Sequence, residues 1–121
     1  MREQIMFIEN YPDEIDMLSF FEGEAIIFDK DDQNYVYEFT GENGVGLMFS
    51  FSVSEGWIQT KLKLNGIEVS RSISEGFKEF KIKHDKLSEY LYAEAVFSDL
   101  VTTVEIYLKP SIVVTWGSLI R

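Results

Sequence analysis

The chain has 121 residues, a mass of 14.0 kDa, 45% apolar and 15% aromatic content, no Cys and a single His, His84. At ~100–200 residues per domain this is one domain, with roughly 6,700 Å² of folded surface against ~20,000 Å² unfolded, enough for an ordinary core. Disulfides, thiol catalysis, iron–sulfur clusters and Cys-based or multi-His metal sites are excluded, and no metal or cofactor is expected.

The charge is 21 acidic against 11 basic residues, net −10. It is unevenly spread. Residues 1–56 hold 13 Asp/Glu and only Arg2 and Lys30, net −11; residues 57–121 hold 8 acidic and 9 basic, net +1. Such asymmetry points to an interaction face. A negative field repels phosphate backbones and anionic lipid, so a basic protein is a better partner than nucleic acid or a membrane.

The segment Met1–Asn10 carries Glu3 and Glu9 around a short apolar run, unlike a secretory signal with its basic start and longer apolar region. The uncharged stretches Asn43–Ser54 and Pro110–Ile120 fall short of the ~20 residues that span a bilayer. The expected location is the cytoplasm. Residues 3–8 are expected to open as a strand. Pro12, followed by Asp13, Glu14 and Asp16, is a helix start. A short helix over Pro12–Phe21 is expected, with Ile15, Leu18 and Phe21 (and Met17) as its apolar stripe and Gly23 as its stop.

The remainder reads as strands: Glu24–Asp29, Tyr35–Thr40, Leu47–Val53, Ile58–Leu64, Phe80–Lys83, Val101–Leu108 and Ile112–Trp116. Apolar residues alternate with polar ones, as half-buried antiparallel strands require. Asn65-Gly66 is a hairpin turn of type I′, and Asn43-Gly44 is a second turn. Residues 88–98 fit strand better than helix, with a Ser98-Asp99-Leu100 turn behind them. Ser52–Trp57 is echoed by Ser72–Phe77, which reads as two equivalent hairpin turns. The expected fold is mainly β: a single-domain antiparallel β-sandwich or half-closed barrel, meander-like, with one short N-terminal helix.

The chemical motifs weigh lightly. Asp29–Asn34 resembles a calcium loop, but its sixth and twelfth places hold Asn34 and Thr40 instead of Gly and Glu. Gly41–Gly46 lacks the Lys and Ser/Thr of a phosphate loop and reads as a hairpin turn. His84, near Asp85 and Ser88, lacks a nucleophile-elbow pattern and reads as a surface residue. No catalytic residue is expected. Lys61, Lys63, Lys78, Lys81 and Lys83 are expected to share one basic sheet face.

A small, Cys-free, acidic, mainly β chain with an N-terminal helix, the Asp29–Asp32 loop and a meander from Tyr35 to Ile82 resembles the immunity proteins of bacterial polymorphic-toxin and contact-inhibition systems. The resemblance is architectural and covers the whole chain. It implies an inhibitor that neutralises a basic toxin by offering acids where nucleic acid would bind. On the residues themselves, Glu22, Glu24, Asp29, Asp31 and Asp32 are expected to steer a cationic partner. Tyr35, Tyr37 and Trp57 are expected to anchor it. Two alternatives stand beside this reading. One is a ligand-holding β-barrel, in which inward Phe49, Phe51 and Phe80 would touch ligand instead of each other. The other is an assembly domain that oligomerises through the Lys-bearing face.

Overall fold

The computed structural model describes residues 7–31 and 33–120. Most of the strand expected over residues 3–8 lies outside them, and residues 7 and 8 belong to no strand. Helix α1, Glu14–Phe21, starts where the sequence places it: the Asp13 carboxylate caps it by accepting from the Asp16 N–H at 2.8 Å. It ends at Glu22, in the left-handed conformation at φ 59°.

The buried stripe of α1 differs from the expected one. Met17, Phe20 and Phe21 are buried, whereas Ile15 is 75% and Leu18 42% exposed. Ring packing sets this rotation. Phe21 stacks on Tyr37 at 5.0 Å and on Phe49 at 5.6 Å, which turns Ile15 and Leu18 outward.

Among the described residues nine strands follow: β1 Ile27–Asp29, β2 Asn34–Thr40, β3 Val45–Ser52, β4 Trp57–Leu64, β5 Ile67–Ser74, β6 Phe77–His84, β7 Glu89–Phe97, β8 Leu100–Tyr107 and β9 Val113–Ile120. Residues 88–98 are thus strand, as expected. The strands form two antiparallel sheets, β1-β2-β3-β4-β5 and β6-β7-β8-β9, and neither closes into a barrel. Alternation explains the strands themselves: in β3, Leu47, Phe49 and Phe51 point inward and are almost fully buried. The Asn65-Gly66 turn has φ 50° and 83°, the left-handed pair that a type I′ turn demands.

The sheets pack face to face through Phe80. Its ring meets Phe51 at 4.8 Å and Phe49 at 5.6 Å, both edge-on. Across the same interface Trp116 Nε1 donates to Thr60 Oγ1 at 2.9 Å, satisfying a hydroxyl that is only 3% exposed. The barrel alternative is therefore overturned. Neither sheet closes on itself, and the inward Phe49, Phe51 and Phe80 touch one another.

The repeated segments are not two equivalent hairpin turns. Ser52–Trp57 joins β3 to β4 within one sheet, whereas Ser72–Phe77 carries the chain from β5 into the other sheet. Gly76, at φ 87°, makes that switch, and the Phe77 N–H then bonds to the Gly56 carbonyl at 3.0 Å. The meander breaks there.

The basic face divides for the same reason. Lys61 and Lys63 lie on β4, and Lys78, Lys81 and Lys83 on β6 of the second sheet. Lys81 sits 3.3 Å from Glu79, and Lys83 lies 4.3 Å over the Tyr92 ring.

Candidate functional site

Sheet one is a strand wider than sheet two. Its inner row Phe28, Tyr35, Phe51, Ile58 runs from the edge inward. Exposure falls along it: Phe28 is 51% exposed, Phe51 1% and Ile58 0%. Helix α1 covers part of the overhang at β2. A groove of about 740 Å³ stays open between α1 and the β1 edge.

Aromatic rings form the groove floor. Tyr35 stacks on Phe51 at 4.9 Å and meets Phe28 at 4.7 Å, and Tyr11 closes over Phe51 at 5.6 Å. Ile15 and Leu18 stand along the helical wall, and Asp13, Glu14 and Glu24 lie on the rim. Burial, followed by hydrogen bonding with Tyr11, pushes the Tyr35 phenol up to about 12. Burial also raises Tyr37, with the Glu14 carboxylate next in order. Glu14 opposes phenolate formation on both rings, which ties rim to floor electrostatically.

A raised folded pKa favours the neutral phenol. Its stabilisation is complete below about pH 10 and is lost as pH rises towards about 12. A phenolate absorbance titration is expected to show late-ionising tyrosine, and Tyr35→Phe to remove part of that late signal. An unchanged late phase would contradict this packing.

The expected site residues separate. Glu24 lines the groove rim and Tyr35 its floor. Asp29 ends β1, and Asp31 follows in the turn, its N–H donating to Asp29 Oδ1 at 3.0 Å. Asp32 lies outside the described residues. Glu22 sits elsewhere: it pairs with Lys109 beside a second depression lined by Gly41 and Ile112. Tyr37 is 4% exposed beneath Phe21, so it supports the groove from below and cannot anchor a partner at its mouth. Trp57 does not sit at a sheet edge. It begins the interior strand β4, half-buried, on the outer face opposite Ser52.

Tyr11, Phe28, Asp13 and Glu14 also line the groove, and the sequence does not single them out for binding. In the sequence, Asp13 and Glu14 signal only a helix start. The available signal was the surplus of aromatic and aliphatic residues around a two-turn helix too short to bury them all.

The other candidate chemistry disperses. Asp85 accepts from the Leu87 and Ser88 N–H groups and from the Tyr107 hydroxyl at 2.9 Å, contacts that lower its pKa. That carboxylate is a turn lock, whereas His84 faces Glu89 at 3.6 Å on the surface. Gly41–Gly46 closes a hairpin, with the Gly41 N–H on the Val45 carbonyl at 2.8 Å. Among the described residues, no three His, Cys, Asp or Glu side chains group as a metal site, and no helix is long and apolar enough to cross a membrane.

Fold and groove together define an all-β sandwich domain with an acid-rimmed aromatic cleft at its overhanging edge. No family model and no curated protein matches the chain. Among solved structures it matches a chain of the contact-dependent growth inhibition toxin–immunity protein complex from Klebsiella pneumoniae 342. The TM-score is 0.91 and the identity 39%, over 94% of this chain and 100% of that one. The chain belongs to the immunity protein family of contact-dependent growth inhibition systems.

Proposed function

We propose that this protein neutralises a basic growth-inhibition toxin in the cytoplasm by binding it, without catalysis, and that the groove between α1 and β1 is the docking surface. One observation carries the reading: an open aromatic floor under three carboxylates, Asp13, Glu14 and Glu24. A Lys or Arg stem rests on Tyr11, Phe28 and Tyr35 while its cationic head meets the rim. Cation–π contacts of this kind contribute ~0.5–2 kcal/mol. Asp29 and Asp31, in the adjoining turn, extend the steering field. Glu22, held by Lys109, and Trp57, on the far face, stand outside the contact.

The test is co-expression with the growth-inhibition toxin of the same cell. The wild-type protein is expected to restore growth and to be recovered with intact toxin in equal amounts. Glu14→Gln/Glu24→Gln/Tyr35→Ala is expected to fold but to lose protection. Protection by the triple variant would remove the groove from the interface. Cleaved or modified toxin would replace binding with an enzymatic mechanism.

A further inference from the structure

Sheet edges recruit strands, because their outward N–H and C=O groups lack partners, and proteins protect them with short strands, charges, bulges or covering segments. Among the described residues four edges occur, and three are protected. β1 is three residues long. β5 carries Glu68 and Arg71, and its register with β4 shifts between Leu62 and Lys63. β6 carries Lys78, Glu79, Lys81 and Lys83 and is partly covered by residues 9 and 10, with the Glu9 N–H on the Lys78 carbonyl at 2.7 Å.

β9 has none of these devices. Val113–Ile120 contains no charged residue and no Pro, and it pairs with β8 in unbroken register over eight residues. Among the described residues nothing bonds to its outer edge. Apolar surface continues beside it. Ile120, Leu100 and Phe97 form one cross-strand row, exposed by 80%, 42% and 76%.

We propose that a second copy of this chain pairs with β9, antiparallel about a two-fold axis, joining two four-stranded sheets into one of eight. Charge selects this occupant. Residues 77–120 hold five Lys against six Asp/Glu, net −1 with His84 neutral, while residues 1–56 carry net −11. A basic partner is drawn to the acidic half. The near-neutral second sheet lets two copies meet without opposing those acids. An antiparallel edge is also self-complementary under two-fold symmetry. The axis stands perpendicular to the sheet, so residues on the same face pair. With the axis through Gly117, Thr115 lies opposite Leu119 of the other copy, and Trp116 opposite its Ser118.

Light scattering across a dilution series tests this on the full chain. The wild type is expected at twice 14.0 kDa, dissociating on dilution. Thr115 and Leu119 are both exposed, so Thr115→Lys/Leu119→Lys leaves the fold intact by thermal melt. It places like charges opposite each other and is expected at 14.0 kDa. Thr115→Lys/Leu119→Glu pairs opposite charges and restores the dimer. A wild type of 14.0 kDa throughout, or a Lys/Lys variant that stays dimeric, overturns the proposal; a monomeric Lys/Glu variant overturns the register.

Discussion

Replacing Phe80 by Ala is expected to cost about 3–5 kcal/mol, the range for removing a large ring from a packed core. The ring is 2% exposed, and it is the side chain through which β6 reaches the aromatic floor of the other sheet. Phe49 and Phe51 would both lose a partner, and Tyr11, 6.1 Å from the Phe80 ring, would lose its stacking surface. A domain of this size has ~5–15 kcal/mol in total, so much of its stability depends on one side chain. Urea unfolding of wild type and variant reads the difference directly. A loss below about 1 kcal/mol would mean that the core closes over the gap, contrary to the way cavities persist in close-packed interiors. The strained alternative, Phe80→Trp, is expected to cost less, since it keeps the ring contacts.

Reversing two rim charges, Glu14→Lys/Glu24→Lys, is expected to slow toxin association by ~10–10³-fold at low salt. Asp13 is left in place because its carboxylate caps α1, and losing the cap would confuse binding with folding. The rim acts at a distance, so the effect should shrink as salt shortens the Debye length to ~8 Å at physiological strength. Tyr35→Ala should behave differently. It removes an anchor and should raise the dissociation rate with little change in salt dependence. Stopped-flow association against ionic strength separates the two. Equal association rates for the reversed-charge variant and wild type at low salt would place the docking surface elsewhere.

The strands were legible because period-two alternation is a local property. Leu47, Phe49 and Phe51 must share a face whatever the fold, and Asn65-Gly66 makes its turn from backbone preference alone. The helix start was legible through Asp13, whose capping bond spans three residues. The helix rotation was not. In two turns, Ile15, Leu18 and Phe21 make as good a stripe as Met17, Phe20 and Phe21, and only Tyr37 and Phe49, from distant strands, decide between them. Tyr35 and Tyr37 looked alike in the sequence, two places apart on one strand face. One became groove floor and the other core because α1 lies over Tyr37.

By itself, then, the sequence determined the strand-rich composition, the faces of its strands, the position of its tight turns and an acidic first half. Tertiary structure alone decided which sheet each strand joins. The chain changes sheets at Gly76, within a segment that matches the Gly56 hairpin almost residue for residue. Local preference is the same in both places. The difference lies in long-range bonds: residues 8–10 reach from Val53, in the turn just past β3, to Lys78 on β6 of the other sheet, and the Phe80 ring closes the interface. That closure leaves sheet one a strand wider than its partner, and the overhang creates the groove.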